Sequence, residues 1–214
     1  VTCSVCSGEG DCCNSSSNDC GTRTCGTGLD NCGASVSCGT CGSGDSCADD
    51  AVCVDANLID DLVDCDNAIY RFLGREGYWF SYHSEGLSPS FNTTPPDWAA
   101  DGACAAWQAG GTTGSVEDEY AGFGVTIADE GPYDACAYTG LRIFLKSEAP
   151  VDVAFSSGPT AAASTDAYDT LYDGSTDVPF SSLAGFDCSQ LTQLVFAPTD
   201  LTSWGIAVYR IELY

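Results

Sequence analysis

The stretch that decides the fold is LIDDLVDCDNAIYRFLGREGYWFSYH, Leu58 to His83. Its first half reads as an acidic turn built on Asp60, Asp61, Asp64 and Asp66. Its second half, Gly77-Tyr78-Trp79-Phe80-Ser81-Tyr82, sets bulky aromatics between glycines, a strand signal rather than a helical one. The bland reading of these aromatics, core packing, is the favoured one. The stretch is a seam: the chain before it is dense in cysteine, and the chain after it is a succession of short apolar runs.

Outward to the N-terminus, the cysteines set the division. Of 15, eleven lie at or before Cys53 and four after it, at 65, 104, 136 and 188. Residues 1–56 hold Leu29 and a few valines, too little apolar area to offset chain entropy, so disulfides must hold them. We therefore expect a disulfide-rich, loop-dominated module over 1–56 and a second module over 57–214. Cysteine in this number points to an oxidising, extracellular destination. The chain has no methionine and begins at Val1, which fits removal of a secretion signal. A zinc protein is the competing reading. Against it, His83 is the single histidine, and the Cys3-x-x-Cys6 and Cys38-x-x-Cys41 pairs are far apart among other cysteines.

Charge narrows the partners. There are 31 acidic residues against six basic ones, a formal net charge of −25. No basic face can be assembled for phosphate, which excludes nucleic acid, and the same sign excludes anionic membrane surfaces. No run reaches the about 18 apolar residues that span a bilayer, so no membrane insertion is expected. Most of the acids are aspartates, whose ordinary place is a solvated turn; the sharper alternatives are calcium sites or a saline setting.

Outward to the C-terminus, turn residues punctuate candidate strands at Ala68–Phe72, Gly77–Tyr82, Ala103–Gln108, Tyr120–Ile127, Leu141–Lys146, Val151–Phe155, Thr192–Ala197 and Trp204–Leu213. Eight or nine strands at this spacing argue an all-β fold, a sandwich of jelly-roll type, with Trp79 and Phe144 in its core and hardly any helix. In the last strand, alternation puts Ile206, Val208 and Arg210 on one face. The polar interval Ser156–Thr176 reads as a surface excursion between strands.

Two resemblances add to this. From Cys20, the run CGTRTCGTGLDNCGASVSCGTCGSGDSCADDAVC resembles the Cys-rich segments of secreted myxobacterial-type proteins, with Cys20, Cys32, Cys38, Cys41, Cys47 and Cys53 on the pattern and Cys25 extra. Its connectivity stays open, since six cysteines allow 15 pairings. Over residues 58–214 the order IDDLVDCDNAI, GREGYWFSYH, GFGVTIAD, YDACAYTGLRIFLKS, VPFSSL and YRIEL resembles the galactose-binding-like, carbohydrate-binding-type sandwich of secreted bacterial proteins. The resemblance implies a structural calcium ion held by Asp60, Asp61 and Glu212. Departures at Cys65, at His83 and at Tyr209-Arg210, where an acidic pair is usual, count against that ion. No other cofactor is expected. Fourteen cysteines are expected oxidised, those of the N-terminal module among themselves and Cys104 with Cys136. Asn14 and Asn92 head glycan-acceptor triplets.

Enzyme chemistry finds no footing. His83 follows an aromatic strand with no serine in a nucleophile elbow, Gly44-Asp45-Ser46 lies within the cysteine cluster, and paired carboxylates among 31 acids decide nothing. Two non-catalytic readings remain. A coreless connector held by contacts with an identical neighbour would propagate head to tail, making the chain a subunit of an extracellular filament or surface layer with copies of itself as partners. The alternative is a secreted module that binds extracellular polysaccharide. Its sugar faces would stack on tryptophan or tyrosine while polar groups take the hydroxyls, with Trp98, Tyr168 and Tyr172 the candidates in loops, and Trp79 and Trp107 behind them.

Overall fold

The structure is a computed structural model that describes residues 25–29, 35–43, 45–47, 53–62, 68–71, 73–83, 90–92, 107–111, 121–128, 131–160, 163–199 and 204–214. The chain divides into two compact units, Val1–Ala56 and Asn57–Tyr214.

In the first unit, β1 (Gly26–Leu29) pairs antiparallel with β2 (Ser35–Gly39), and β3 (Asp45–Cys47) with β4 (Cys53–Asp55). Two disulfides, Cys25–Cys47 and Cys41–Cys53, staple these short hairpins, which bury too little apolar surface to stand unaided. Cys25, outside the six-cysteine pattern, is thus part of the framework, and Cys38 is also disulfide-bonded. Cys20, Cys32 and Asn14 lie outside the described residues.

The second unit is a β-sandwich. Its strands are β5 (Leu58–Asp60), β6 (Trp79–His83), β7 (Ser90–Asn92), β8 (Trp107–Gly111), β9 (Ala121–Thr126), β10 (Gly140–Ser147), β11 (Val151–Ser157), β12 (Thr165–Leu171), β13 (Gly174–Pro179), β14 (Leu191–Pro198) and β15 (Trp204–Leu213). One sheet runs β13-β10-β15-β8-β7, with β5 also paired to β15; the other runs β12-β11-β14-β9-β6. Helix is confined to 3-10 turns among the described residues, at Ala163, Phe180–Ser182 and Cys188–Gln190.

Alternation builds the core. Leu141, Ile143 and Leu145 of β10, Phe123 and Val125 of β9, Val151, Val153 and Phe155 of β11, and Leu194 and Phe196 of β14 all point inward and are fully buried. Trp79 stacks with Phe196 at 6.3 Å between centroids, and Phe196 with Phe123 at 5.3 Å. Each such side chain contributes about 1.5–3 kcal/mol by leaving water.

Several sequence expectations are corrected here. Leu58–Asp60, read as the start of an acidic turn, is a fully buried strand; the chain turns only after it, with Leu62 at φ 57°. Ala68 makes a single bridge to Tyr78, so the described residues 68–71 of the expected strand Ala68–Phe72 form no strand. The supposed excursion Ser156–Thr176 contains all of β12 and the start of β13, because Ala167 and Leu171 bury themselves between polar neighbours. Phe144 is half-buried on the outer face, against Tyr209 at 6.0 Å, since its strand neighbours Ile143 and Leu145 face inward. In β15 a register shift opposite Phe144/Leu145 breaks the alternation: Ile206 and Val208 point inward, but Ile211 and Leu213 replace Arg210 as the next inward residues. Cys136 pairs with Cys188, not Cys104, which tethers the segment before β10 to the turn before β14; Cys104 lies outside the described residues.

Candidate functional site

Opposed residues of neighbouring strands share a face, so the register of the five-stranded sheet dictates what its outer surface carries. Three rows cross it. The middle row is Phe80, Gly124, Val195, Ala154 and Tyr168. On one side run Tyr78, Thr126, Gln193, Ser156 and Asp166, with Tyr78 joined to Thr126 by three hydrogen bonds. On the other side run Tyr82 with Gly122, and Ala197 with Asp152 and Thr170. With same-face residues on a strand about 7 Å apart and strands about 4.8 Å apart, this is an apolar strip about 19 Å long between two hydrogen-bonding margins.

The centre is small and the edges are large. Glycine is required at 122 and 124 by close approach: a Cβ at Gly122 would lie 2.4 Å from the Tyr82 hydroxyl, and one at Gly124 would lie 2.6 Å from the Phe80 ring. Both rings therefore lie down across β9 from the edge strand β6. At the opposite edge Tyr168 stands 69% exposed over Ala154. Burial, and then the neighbouring Tyr168 phenol, push the Tyr82 hydroxyl up to about 12.

The margins hold preset hydrogen bonds. Gln193 Nε2 donates to Ser156 Oγ (3.3 Å), Ser156 Oγ donates to Asp166 Oδ1 (2.6 Å), and the Tyr168 hydroxyl reaches Asp166 Oδ2 at 3.4 Å. Across the strip, Thr170 Oγ1 donates to Asp152 Oδ1 at 2.8 Å. Burial, followed by the Asp166 charge, raises the Tyr168 hydroxyl above the ordinary tyrosine value. The described cations of β10 and β15, Arg142, Lys146 and Arg210, belong to the other sheet. An apolar strip with carboxylate, amide and hydroxyl groups on both sides can stack a flat, partly apolar ligand and hydrogen-bond its rim.

Of the sequence candidates, Tyr168 lies on this face, on a strand rather than in a loop. Tyr172, 64% exposed, follows β12 in the turn to β13, outside the three rows. Trp79 is buried in the core, and Trp98 lies outside the described residues. Asn92 ends β7. Tyr82, Gln193, Asp152, Asp166 and Thr170 were not singled out from sequence. The signal for the last two was the alternation in Thr165-Asp166-Ala167-Tyr168-Asp169-Thr170-Leu171, where only Ala167 and Leu171 are buried.

The donor set expected for calcium does not fit that ion as it stands. Asp60 is turned into the core, with Oδ1 accepting from the Leu62 amide (2.9 Å) and Oδ2 from the Trp79 indole (2.6 Å). Asp61 accepts from the Tyr70 hydroxyl, and Glu212 is ion-paired to both Arg142 (3.1 Å) and Arg210 (2.8 Å). Among the described residues no three carboxylates converge on one point.

No protein-family model matches the chain, and no curated protein sequence matches it. Among solved structures it is similar to a family 30 carbohydrate-binding module of a cellulosomal cellulase of Clostridium thermocellum, at 16% identity over 70% of this chain and 96% of that one, TM-score 0.46. It is also similar to the family 11 carbohydrate-binding module from Clostridium thermocellum in complex with a β-1,3-1,4-mixed-linked tetrasaccharide, at 17% identity over 73% of this chain and 94% of that one, TM-score 0.50. At that identity the likeness is one of fold alone.

Proposed function

We propose that the chain is a non-catalytic, extracellular module that binds an uncharged polysaccharide on the outer face of the five-stranded sheet. The observation that carries the reading is the middle row ending in exposed Tyr168, apolar along its length and flanked on both sides by hydrogen-bonding groups. A pyranose offers the complement, with an apolar face to lie on the strip and equatorial hydroxyls to meet Gln193, Asp166, Asp152 and Thr170. That the structurally similar family 11 module is seen with a mixed-linked tetrasaccharide supports a glycan as the ligand. Asp152 and Asp166 on the face, in a chain of net charge −25, set it against uronate or sulfated chains. Disulfides in both units support an extracellular setting. The head-to-tail filament expected from the coreless N-terminal module gains no support from the described residues.

Electrophoresis of the native chain through gels containing soluble polymers tests the reading. Retardation by a neutral mixed-linked β-glucan or a neutral mannan, and none by a polyuronate, is expected. Free migration through every neutral polymer would contradict it.

A further inference from the structure

The disulfides Cys25–Cys47 and Cys41–Cys53 are not separate staples. The Sγ atoms of Cys25, Cys41 and Cys47 all lie within 4.8 Å of one another, so Cys25–Cys47 and Cys41–Cys53 meet at Cys41. The backbone enforces this: Cys47 and Cys53 are cross-strand partners in β3–β4, and a Cβ at Gly26, next to Cys25, would come within 3.3 Å of Cys47 Sγ. Exposure is uneven across the four. Cys25 is completely buried, Cys41 and Cys53 are half-buried, and Cys47 is exposed.

We propose that Cys47 is a thiol-accepting site and that the two disulfides form one exchange relay, carrying the attack of an external small thiol at Cys47 through to Cys53. The thiolate of the incoming molecule, for instance glutathione, attacks Cys47 Sγ, the reachable sulfur of its pair. A mixed disulfide forms at Cys47, the Cys25–Cys47 bond breaks, and the electron pair leaves on Cys25. A thiolate there is desolvated, which makes it costly to keep and strongly nucleophilic. Cys41 Sγ is already within 4.8 Å of it. Cys25 attacks Cys41, a Cys25–Cys41 bond forms, Cys41–Cys53 breaks, and the charge ends on Cys53, whose greater exposure makes it the better-solvated leaving group. Cys53 then takes up from water the proton that the small thiol gave up. Two disulfide bonds are present before and two after, Cys25–Cys41 and the link from Cys47 to the small thiol having replaced Cys25–Cys47 and Cys41–Cys53; no net oxidation or reduction occurs.

The test uses the whole chain under native conditions. It is exposed briefly to limiting glutathione, quenched in acid, alkylated with N-ethylmaleimide and mapped by peptide mass spectrometry without reduction. The relay gives glutathione on Cys47, the alkyl label mainly on Cys53, and a Cys25–Cys41 crosslinked peptide. Label on Cys25 with Cys41–Cys53 intact would overturn it, as would an adduct first appearing at Cys41 or Cys53, or no adduct at Cys47. In a Cys41→Ser/Cys53→Ser variant the relay is cut, so label moves to Cys25 and the Cys47 adduct, facing a thiolate with nowhere else to react, reverts faster than in the parent. Should that variant fail to fold, the map of the parent chain still decides.

Discussion

Asp60 Oδ2 accepts a hydrogen bond from Trp79 Nε1 at 2.6 Å, with both residues buried. Asp60 sits on β5, which pairs with β15 of one sheet, and Trp79 opens β6 at the edge of the other. The bond is therefore a polar tie across the apolar interior, placed where an unsatisfied group is most costly. The same carboxylate fixes the turn out of β5 through the Leu62 amide, in a left-handed conformation that leucine rarely adopts.

Asp60→Ala should be among the more damaging substitutions in the chain. It strands the Trp79 indole and the Leu62 amide, each at about 1–3 kcal/mol, a large part of the about 5–15 kcal/mol that holds a domain together. Asp60→Asn, which keeps an acceptor oxygen, should lose less. Urea unfolding followed by tryptophan fluorescence measures both; a parental midpoint for Asp60→Ala would refute the tie.

The outer face of the six-stranded sheet should respond to acid. The hydrogen-bonded Arg142 guanidinium holds the Asp177 carboxyl below its ordinary value of 3.8, and Lys146, with the Ser147 amide, does the same for Asp173. Groups with lowered native values stabilise the fold above their unfolded value and lose that contribution as pH falls through the native one. The melting-temperature difference between the parent and an Arg142→Gln/Lys146→Gln variant should thus be visible at pH 7 and low salt and vanish well below pH 3.8. It should be modest, since both carboxylates are solvent-facing. A difference unchanged by acid would mean that the lost side chains act through packing.

Tyr82 should titrate late. Its hydroxyl is pushed up to about 12, against 10.0 for an ordinary tyrosine, so it is protonated in both states below pH 10 and lost first from the unfolded chain above it. Stability falls between pH 10 and about 12 on its account. Phenolate absorbance should show a last transition that Tyr82→Phe removes. A transition that persists in the variant would place Tyr82 in open solvent, away from Gly122 and Tyr168.

Much of the fold was legible. Period-2 alternation in Leu141–Lys146 and the apolar runs at Val151–Phe155 and Thr192–Ala197 mark strands of a sandwich. What alternation could not carry was phase past an irregularity: the register shift near Tyr209 turns Arg210 outward and Ile211 inward, and no local residue preference announces it. β12 was hidden for a different reason. On an edge strand in which only Ala167 and Leu171 are buried, small Ala167 and the surrounding aspartates resemble a loop. The candidate face was hidden with it, because its middle row joins residues 80, 124, 195, 154 and 168, which only the strand order brings together. The partner of Cys136 is likewise a fact of topology, which cysteine spacing does not encode.

If the face bearing Tyr168 binds a neutral glycan, titration calorimetry with whichever neutral polymer retards the parent most will separate the parent from the Tyr168→Ala chain. Tyr168 is 69% exposed, so its loss should leave the melting temperature unchanged. Binding should weaken at least tenfold, about 1.4 kcal/mol, while Lys146→Ala on the opposite sheet leaves it intact. Equal affinity for the parent and Tyr168→Ala chains would contradict the account.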